Sequence, residues 1–402
     1  MSLVASRRAR PTEDPIFALN SEANARKAKG ETVVNATLGA AMDDAGKLAV
    51  LPTALRALRE VDGMTTAGYA PIAGTAAFLE AVKDDLLQGV PALRARAVAV
   101  ATPGGTGALH HAIVNFLEPG QAMLTTSYYW GPYHTLTDEA GRGLDTFTLF
   151  DDKGGFDVAA MNAAVEKQLA TQGRVLLAIN DPCQNPTGYT MSLEEWRAVV
   201  ECLMRHAKAG GDISLLVDVA YIEYGAAVDP RAFVQELAPL AEHALVAFAW
   251  SASKSFTMYG LRVGALVAVV PEDQRALTQA ALTYSCRGTW SNCNHGGLVA
   301  ITRLLVDPAL RVDLVTERNA LKRTLFARVE RFNALGHQAG LVYPRYEGGF
   351  FVTVFHDHAK EHAARMRERG VFVVPAPGAL RVALCSVPEA DVPRLVDALA
   401  LC

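Results

Sequence analysis

The sequence lacks any long apolar run. A helix that crosses a bilayer needs about 20 consecutive, predominantly apolar residues. The longest apolar runs, such as 244–250 and 264–270, are only long enough for a strand. The N-terminus carries three arginines (Arg7, Arg8 and Arg10), but the apolar segment of a secretory signal does not follow them. We therefore predict a protein that does not enter a membrane and that works in the cytoplasm.

Paired cysteines and a strong excess of one charge are also missing. The six cysteines are scattered without a C-x-x-C pair, which indicates reduced thiols rather than a disulfide framework. The formal net charge is only −4, so no surface for a nucleic acid is predicted. Three histidines lie close together (His356, His358 and His362), but no further ligand completes a coordination set, and we predict no metal there.

What the sequence does contain is an alternation of short apolar runs with longer amphipathic stretches. The apolar runs lack polar alternation, which is typical of strands buried on both faces of a parallel sheet flanked by helices. The predicted strands are 97–101, 122–125, 174–180, 214–219, 244–249 and 264–270, then three short ones at 349–355, 371–374 and 380–384. We predict an α/β fold with a large domain over 45–310 and a small α+β domain formed by 1–44 and 311–402.

A glycine-rich turn, Pro103-Gly104-Gly105-Thr106-Gly107-Ala108-Leu109, joins one predicted strand to a predicted helix. Backbone N–H groups at the start of a helix bind phosphate well. The turn lacks the Gly-Lys-Ser/Thr of a Walker loop, and His110 stands where a dinucleotide fingerprint has its third glycine. Two interpretations therefore stay open, a phosphate site and a plain glycine turn.

Two ionisable residues stand where buried strands end. Asp218 closes the apolar run Leu215-Leu216-Val217, and a carboxylate there is costly to bury without a cationic partner such as a protonated pyridine nitrogen. Lys254 follows an apolar strand within Ser251-Ala252-Ser253-Lys254-Ser255, where an amine of lowered pKa would suit Schiff-base chemistry. A snorkelling surface lysine is the alternative for Lys254.

Together these patterns resemble fold-type I pyridoxal-phosphate (PLP) enzymes of the class I/II aminotransferase group, which includes aspartate and aromatic amino-acid aminotransferases. The matching residues are Asn185-Pro186-Thr187-Gly188, Asp218-Val219-Ala220-Tyr221, Ser251-Ala252-Ser253-Lys254 and Arg262. Asp218 and Lys254 are 36 residues apart (254 − 218), and Lys254 and Arg262 are 8 apart (262 − 254), as the family pattern expects. The resemblance extends over nearly the whole chain. It implies a mostly parallel seven-stranded sheet in the large domain, pyridoxal 5'-phosphate as cofactor and transfer of amino groups.

The resemblance also implies a role for each residue of the cofactor site. Lys254 would hold PLP as a Schiff base and then move a proton between substrate and cofactor. Asp218 would pair with the pyridine nitrogen, while Asn185 and Tyr221 would hydrogen-bond the phenolic oxygen. The residues that would hold the phosphate are Gly105, Thr106, Ser251, Ser253 and Arg262. Trp130 would stack on the ring, with a core aromatic as the alternative reading of that residue.

Other residues would reach the substrate or a second subunit. Tyr69 resembles the family's tyrosine that reaches the phosphate of the neighbouring subunit, which predicts a homodimer. Arg381, on an otherwise apolar strand, would hold the substrate α-carboxylate through two parallel bonds. Gly39 and Asn185 would line the substrate side of the pocket. Arg287 would bind a distal carboxylate across the subunit interface.

The segment around Arg287 leaves the substrate open. It resembles aspartate aminotransferases, which predicts aspartate or glutamate as amino donor and a 2-oxo acid such as 2-oxoglutarate as acceptor. However, Cys293-Asn294 stands where those enzymes typically have two prolines, and aromatic aminotransferases also keep this arginine. Related PLP folds instead run β-elimination of the C–S lyase type or decarboxylation. A PLP-binding sensor is a third possibility, but the 102 residues before Pro103 leave no room for the DNA-binding domain such sensors usually carry.

Overall fold

A computed structural model describes residues 3, 4, 7, 8, 10 and 13–401. They form two compact units. The large unit comprises Ala49–Arg323 and Glu347–Gly349, and the small unit comprises the chain up to Leu48, Thr324–Tyr346 and the chain from Phe350 onward.

The regular elements of the described residues alternate along most of the chain. The strands are β1 Val34–Asn35, β2 Ala97–Pro103, β3 Ala122–Thr126, β4 Gly143–Phe147, β5 Arg174–Asn180, β6 Asp212–Asp218, β7 Leu245–Ser251, β8 Val263–Val269, β9 Val352–Phe355, β10 Val371–Phe372, β11 Val374–Ala376 and β12 Ala379–Val382. The α-helices are α1 Pro15–Ala28, α2 Pro52–Arg59, α3 Gly63–Ala67, α4 Ala76–Leu87, α5 Pro91–Arg96, α6 Gly104–Phe116, α7 Pro132–Glu139, α8 Val158–Gln172, α9 Leu193–Lys208, α10 Ala232–Glu236, α11 Ala252–Ser255, α12 Arg275–Thr289, α13 His295–Val306, α14 Pro308–Gln338, α15 Ala359–Glu368 and α16 Val392–Ala400.

The large unit contains a seven-stranded sheet with the strand order β2-β8-β7-β6-β5-β3-β4. β8 runs antiparallel to both of its neighbours, and the remaining strands are parallel to one another. The prediction of a mostly parallel, seven-stranded sheet flanked by helices is therefore confirmed. Six of these strands were located from the sequence, and the edge strand β4 was not.

Both faces of this sheet are buried, which explains the uninterrupted apolar runs. In β2, Ala97, Ala99 and Ala101 pack into one hydrophobic cluster. The alternate residues Val98 and Val100 pack into a second cluster on the other face. Because neither face meets water, selection for polar residues at every second position is absent.

Several polar residues of the large unit stand at the ends of neighbouring strands, and the strand pairing places these ends side by side. In the parallel register Asn180 of β5 lies beside Asp218 of β6, and Asp218 lies beside Ala249 of β7. On the antiparallel side Pro103, the last residue of β2, pairs with Val263, the first residue of β8. Helix α6 begins directly at the end of β2. A crevice at the carboxyl ends of parallel strands is the usual ligand position in such sheets.

The small unit has its own core and two small sheets. β11, β12 and β9 form an antiparallel sheet, while β1 pairs in parallel with β10. The buried side chains of this core include Val352, Val354, Leu380 and Val382 from the sheet. Helix α16 contributes Leu395 to the same core. A separate core of this kind is expected of an α+β lobe.

Candidate active site

A cavity of about 170 Å³ lies at the edge of the large sheet where β2, β5, β6 and β7 end. Ten of its lining residues were singled out from the sequence, namely Gly105, Thr106, Trp130, Asn185, Asp218, Tyr221, Ser251, Ser253, Lys254 and Arg262. The others are Leu109, Asn180 and Ala220. The structure thus brings together residues that are spread over more than 150 positions of the chain (262 − 105 = 157).

One end of the cavity is suited to an anion. Arg262 has a left-handed backbone (φ 56°), and its guanidinium donates to the Ser253 hydroxyl at 3.1 Å and to the Tyr259 carbonyl oxygen at 3.0 Å. Burial lowers the pKa of Arg262. Within the described part of the chain its hydrogen-bond partners are all neutral, so no carboxylate offsets its charge. A dianion beside it would supply the missing counter-charge.

The glycines of the turn are required by this close packing. Gly104 has a φ of +70°, and a Cβ there would lie 2.4 Å from a terminal nitrogen of Arg262. A Cβ on Gly264 would lie 2.4 Å from the carbonyl carbon of Gly104. The first turn of α6 is thereby held against Arg262, with the N–H groups of the helix start near the guanidinium. This packing places the glycine-rich turn directly beside the Arg262 guanidinium.

A buried carboxylate lies deeper in the cavity. Asp218, the last residue of β6, is 5% exposed. The Tyr133 hydroxyl donates to one of its oxygens at 2.9 Å, and the Ala220 N–H donates to the other at 3.2 Å. Burial raises the pKa of Asp218, although these two donors and the charge of Lys254 oppose the rise. A cation at this point, such as a protonated ring nitrogen, would stabilise the ionised carboxylate.

The lysine and its neighbours complete the cavity. Lys254 lies in the short helix α11, which directly follows β7, and its Nζ is 5.5 Å from the centre of the Tyr221 ring. The Asn185 side-chain amide donates to the Tyr221 hydroxyl at 3.4 Å. Asn180 links Asn185 to Asp218, since its side chain accepts from the Asn185 N–H at 2.7 Å and donates to the Asp218 carbonyl oxygen at 2.8 Å.

Trp130 forms one wall of the cavity. It is partly exposed, and it meets Tyr133 edge-on with ring centres 5.9 Å apart and an interplanar angle of 87°. A wall of this kind can cover the face of a planar ring.

Two predicted residues of the large unit do not line the cavity. Tyr69 lies between α3 and α4 and is 89% exposed. Arg287 lies in the last turn of α12, is exposed, and donates to the Ser291 hydroxyl at 2.9 Å. Both residues therefore lie at the surface of the large unit.

Gly39 and Arg381 belong to the small unit, and Phe351 of the same unit lies against both. The Arg381 guanidinium carbon lies 4.9 Å from the centre of the Phe351 ring, and one terminal nitrogen donates to the Thr37 carbonyl oxygen. A Cβ on Gly39 would lie only 2.2 Å from Cζ of Phe351. The glycine therefore makes room for the ring, and the ring supports the arginine.

Sequence reasoning missed Tyr133, Asn180 and Phe351. Asn180 carried the same signal as Asp218, a polar residue that closes an apolar strand. Tyr133 lies three residues after Trp130 (133 − 130) in a run of aromatics, and nothing in the sequence separated its role from theirs. Phe351 contacts Gly39, which is 312 residues away in the chain (351 − 39).

The three clustered histidines and the described cysteines lie outside the cavity. No three His, Cys, Asp or Glu residues of the described chain are grouped to hold a metal ion. The rings of His356 and His362 instead stack, with centres 4.4 Å apart. The five cysteines before the C-terminal residue are free, and Cys402 lies outside the described residues. Over the same described range, no helix has the length and apolar character needed to span a membrane.

The comparisons with known proteins all indicate the same family. The family described as "Aminotransferase class I and II" matches residues 31–399. The chain is 28% identical to an aspartate aminotransferase of Pseudomonas aeruginosa over 351 residues, which cover 84% of this chain and 85% of the relative.

Solved structures agree with the family match. A crystal structure of an aminotransferase from Anaerococcus prevotii is 33% identical, covers 99% of this chain and 98% of its own, and superposes with a TM-score of 0.94. An aromatic-amino-acid aminotransferase from Burkholderia pseudomallei, covalently bound to pyridoxal phosphate, is 26% identical, covers 100% of this chain and 99% of its own, and has a TM-score of 0.79.

Proposed function

The chain belongs to the class I and II aminotransferases, PLP-dependent enzymes that transfer an amino group between an amino acid and a 2-oxo acid, and from this premise we propose how its residues divide that work. The observation that carries the proposal is the convergence of Lys254, Asp218 and Arg262 on one cavity. When bound, PLP supplies an electron sink for the negative charge that develops at the substrate α-carbon. The roles below are those of the chain itself.

The phosphate end is held by helix α6 and by Arg262. The first-turn N–H groups of α6, at Gly105 and Thr106, would hold the phosphate at the positive end of the helix. Ser251 and Ser253 add hydroxyl groups from the turn that carries Lys254. Arg262, which is exposed and has no carboxylate partner in the described chain, supplies the formal positive charge.

The ring end is held by Asp218, Asn185 and Tyr221. An ionised Asp218 keeps the pyridine nitrogen protonated, and its own charge is stabilised by the Tyr133 hydroxyl. The Asn185 amide and the Tyr221 hydroxyl, already in contact at 3.4 Å, donate to the phenolic oxygen. Trp130 would cover one face of the ring.

Lys254 has two tasks. It would hold the cofactor covalently through its amine, and the same amine, once free, would remove the proton from the substrate α-carbon as a general base. Its place in the short helix directly after β7, next to Ser253 of the phosphate end, keeps the amine within the same cavity as Asp218. Asp218 ends β6 and Lys254 lies just after the adjacent strand β7, so both can act on one ring.

Two arginines bind the carboxylates of the substrate. Arg381, supported by Phe351, binds the α-carboxylate with a planar pair of bonds, and Gly39 leaves space beside it. Arg287 binds a distal carboxylate, which favours aspartate, glutamate and 2-oxoglutarate, with an aromatic amino acid as the alternative. The native compartment we propose is the cytoplasm.

The working form is a homodimer in which Tyr69 and Arg287 act across the interface. Large apolar side chains of α3, which precedes Tyr69, and of α12, which carries Arg287, are exposed to an extent that fits a surface covered by a second copy. They include Met64 at 81%, Leu277 at 68% and Tyr284 at 82%. Tyr69 and Arg287 are themselves exposed and lie outside the cavity of their own chain.

Half-transamination tests the reaction and the substrate together. Single amino acids are added to the purified PLP form, and the absorbance of the cofactor is followed as it converts to the pyridoxamine form. Conversion by aspartate or glutamate, reversed by 2-oxoglutarate, is the expected result. Conversion only by tyrosine or phenylalanine would reassign the pocket, and no conversion by any amino acid would overturn the proposal. Lys254→Ala, the control, should give no conversion although PLP still binds.

Mixed dimers test the contribution across the interface. Lys254→Ala and Arg287→Ala subunits are each expected to be inactive with aspartate. When the two are dissociated together and reassociated, one site of each mixed dimer has Lys254 from one chain and Arg287 from the other. Aspartate activity should then return. A mixture as inactive as its parts would show that Arg287 serves its own chain or neither.

A further inference from the structure

A cluster of buried ions lies in the large unit, and none of its residues lines the cavity. We call Asp85, Glu223, Arg231 and Arg318 the buried ion cluster. Glu223 is its centre, because one carboxylate oxygen is 2.7 Å from Arg231 and the other is 3.0 Å from Arg318. Arg231 also contacts both carboxylate oxygens of Asp85 at 2.9 Å. The four side chains are between 6% and 17% exposed.

The buried ion cluster is bonded to the two chain segments that carry the reactive residues. Glu223 lies in the single 3₁₀ turn Ile222–Tyr224, directly after Tyr221. On the opposite side of the cluster, Nε of Arg318 donates to the carbonyl oxygen of Ser255 at 2.9 Å, and Ser255 is the residue after Lys254. Arg318 thus spans the Lys254 turn and the Tyr221 turn with separate N–H groups of one rigid guanidinium.

A second bond joins the same two turns. The Tyr224 hydroxyl donates to the carbonyl oxygen of Lys254 itself at 2.9 Å. The Lys254 turn needs such external support, because helix α11 is only four residues long. It is followed by Thr257, a β-branched residue in a left-handed conformation with φ 52°. A β-branched residue avoids that conformation, so surrounding contacts must hold it there.

We propose that Arg318 is a positioning residue for Lys254: it fixes the distance between the Lys254 turn and the Tyr221 turn, and thereby the place of the amine relative to the cofactor ring. Arg318 touches neither cofactor nor substrate, so its effect is on the rate of proton transfer and not on affinity. The inference rests on the proposed role of Lys254. A misplacement of about 1 Å at a reacting group can lower a rate about 100-fold.

Arg318→Lys is the first test. A lysine keeps the charge beside Glu223, but its single nitrogen cannot reproduce the two separate, planar bonds to Glu223 and to the Ser255 carbonyl oxygen. In single-turnover half-reactions of the holoenzyme, the rate constant at saturating amino acid, called kcat here, should fall about tenfold or more. The KM of the amino acid and the Kd of PLP should stay within about threefold of the wild type. The pH midpoint of the cofactor absorbance should also move, because the setting of Lys254 and Tyr221 changes.

Arg303→Lys is the matched control. Arg303 also bonds one carboxylate and one carbonyl oxygen, those of Glu60 at 2.7 Å and Ala57 at 3.4 Å, but it does so at the surface of α13. It should behave as the wild type. Equal kinetics of Arg318→Lys and Arg303→Lys would overturn the proposal, and so would a raised KM at unchanged kcat.

Tyr224→Phe provides an independent variant if Arg318→Lys does not fold as a holoenzyme. It removes the hydroxyl that donates to the Lys254 carbonyl oxygen and leaves every ion in place. A lowered kcat at unchanged KM supports the positioning of Lys254 from the 222–224 turn, and wild-type kinetics refute it. A wild-type protein that converts no amino acid would instead remove the proposed function, which is a different result from either variant's.

Discussion

Replacing Tyr133 by phenylalanine removes one hydroxyl group from a fully buried position and leaves the ring in place. Tyr133 is 1% exposed, and its hydroxyl donates to Asp218 at 2.9 Å. A hydrogen bond to a charged group contributes about 1.5–3 kcal/mol. Without this donor the ionised form of Asp218 loses that stabilisation, so the carboxylate holds the proton on the pyridine nitrogen less firmly. Since about 1.4 kcal/mol corresponds to a factor of ten in rate, kcat should fall roughly 10- to 100-fold.

The assay is the half-reaction with the preferred amino acid, measured at saturating cofactor. The loss should appear in kcat with little change in KM, because Tyr133 donates to Asp218 and does not line the cavity. Tyr129→Phe is the control, since Tyr129 stacks on Tyr133 at a centroid distance of 6.4 Å and is only partly buried. A Tyr133→Phe holoenzyme with kcat within about twofold of the wild type would refute the reasoning, because the bond would then be worth well under 1.4 kcal/mol.

Three further perturbations follow from the geometry. Gly39→Ala should displace the Phe351 ring, since the new Cβ would lie 2.2 Å from it. Because overpacking costs about 1–3 kcal/mol, the midpoint of urea unfolding should fall. An unchanged midpoint would contradict the packing described. Arg262→Lys should raise the Kd of PLP about tenfold in titrations of the apoenzyme, because lysine cannot form the paired bonds of the guanidinium; an unchanged Kd would place the phosphate elsewhere. Burial would raise the pKa of Glu223, but the charges of Arg318 and Arg231 lower that pKa from 4.5 to about 2. The ionised Glu223 therefore stabilises the folded protein above pH 4.5, and this stabilisation is lost as the pH falls toward 2. The difference in unfolding free energy between wild type and Glu223→Gln should therefore shrink over that range, and a constant difference would show that Glu223 titrates normally.

The strands of the large sheet could be predicted because their residues have little freedom. The predicted strand 174–180 coincides with β5, and the predicted strand 97–101 is β2 without its last two residues. A strand buried on both faces tolerates only apolar residues, so its polar ends are visible in the sequence. The same rule located Asp218 and Lys254, because a charged group at such an end needs a partner.

The parts that sequence reasoning missed depend on pairing in space. β4 was not located, because it is an edge strand with its central residues exposed, so it has no apolar run to detect. The antiparallel direction of β8 has no signature, since an apolar run reads alike in both directions. The contact of Phe351 with Gly39 joins residues far apart in the chain, and the hydrogen bond of Tyr133 to Asp218 follows from the end of β6 lying next to the start of α7 in space. The roles of Tyr69 and Arg287 involve a second chain and stay predictions.

The position of β8 between β2 and β7 determines when a newly made chain can first bind its cofactor. β2 ends in the turn that starts α6, but its only neighbour in the sheet is β8, and Ala97 pairs with Val269, 172 residues later (269 − 97). Contacts of such long sequence separation form late, because the loop between them must close first. Arg262 precedes β8 directly, so Gly104 and Arg262 meet only when that strand is inserted. Capture of PLP is thus coupled to the last pairing of the large sheet, and chains that end before residue 270 should emerge from the ribosome without a phosphate site.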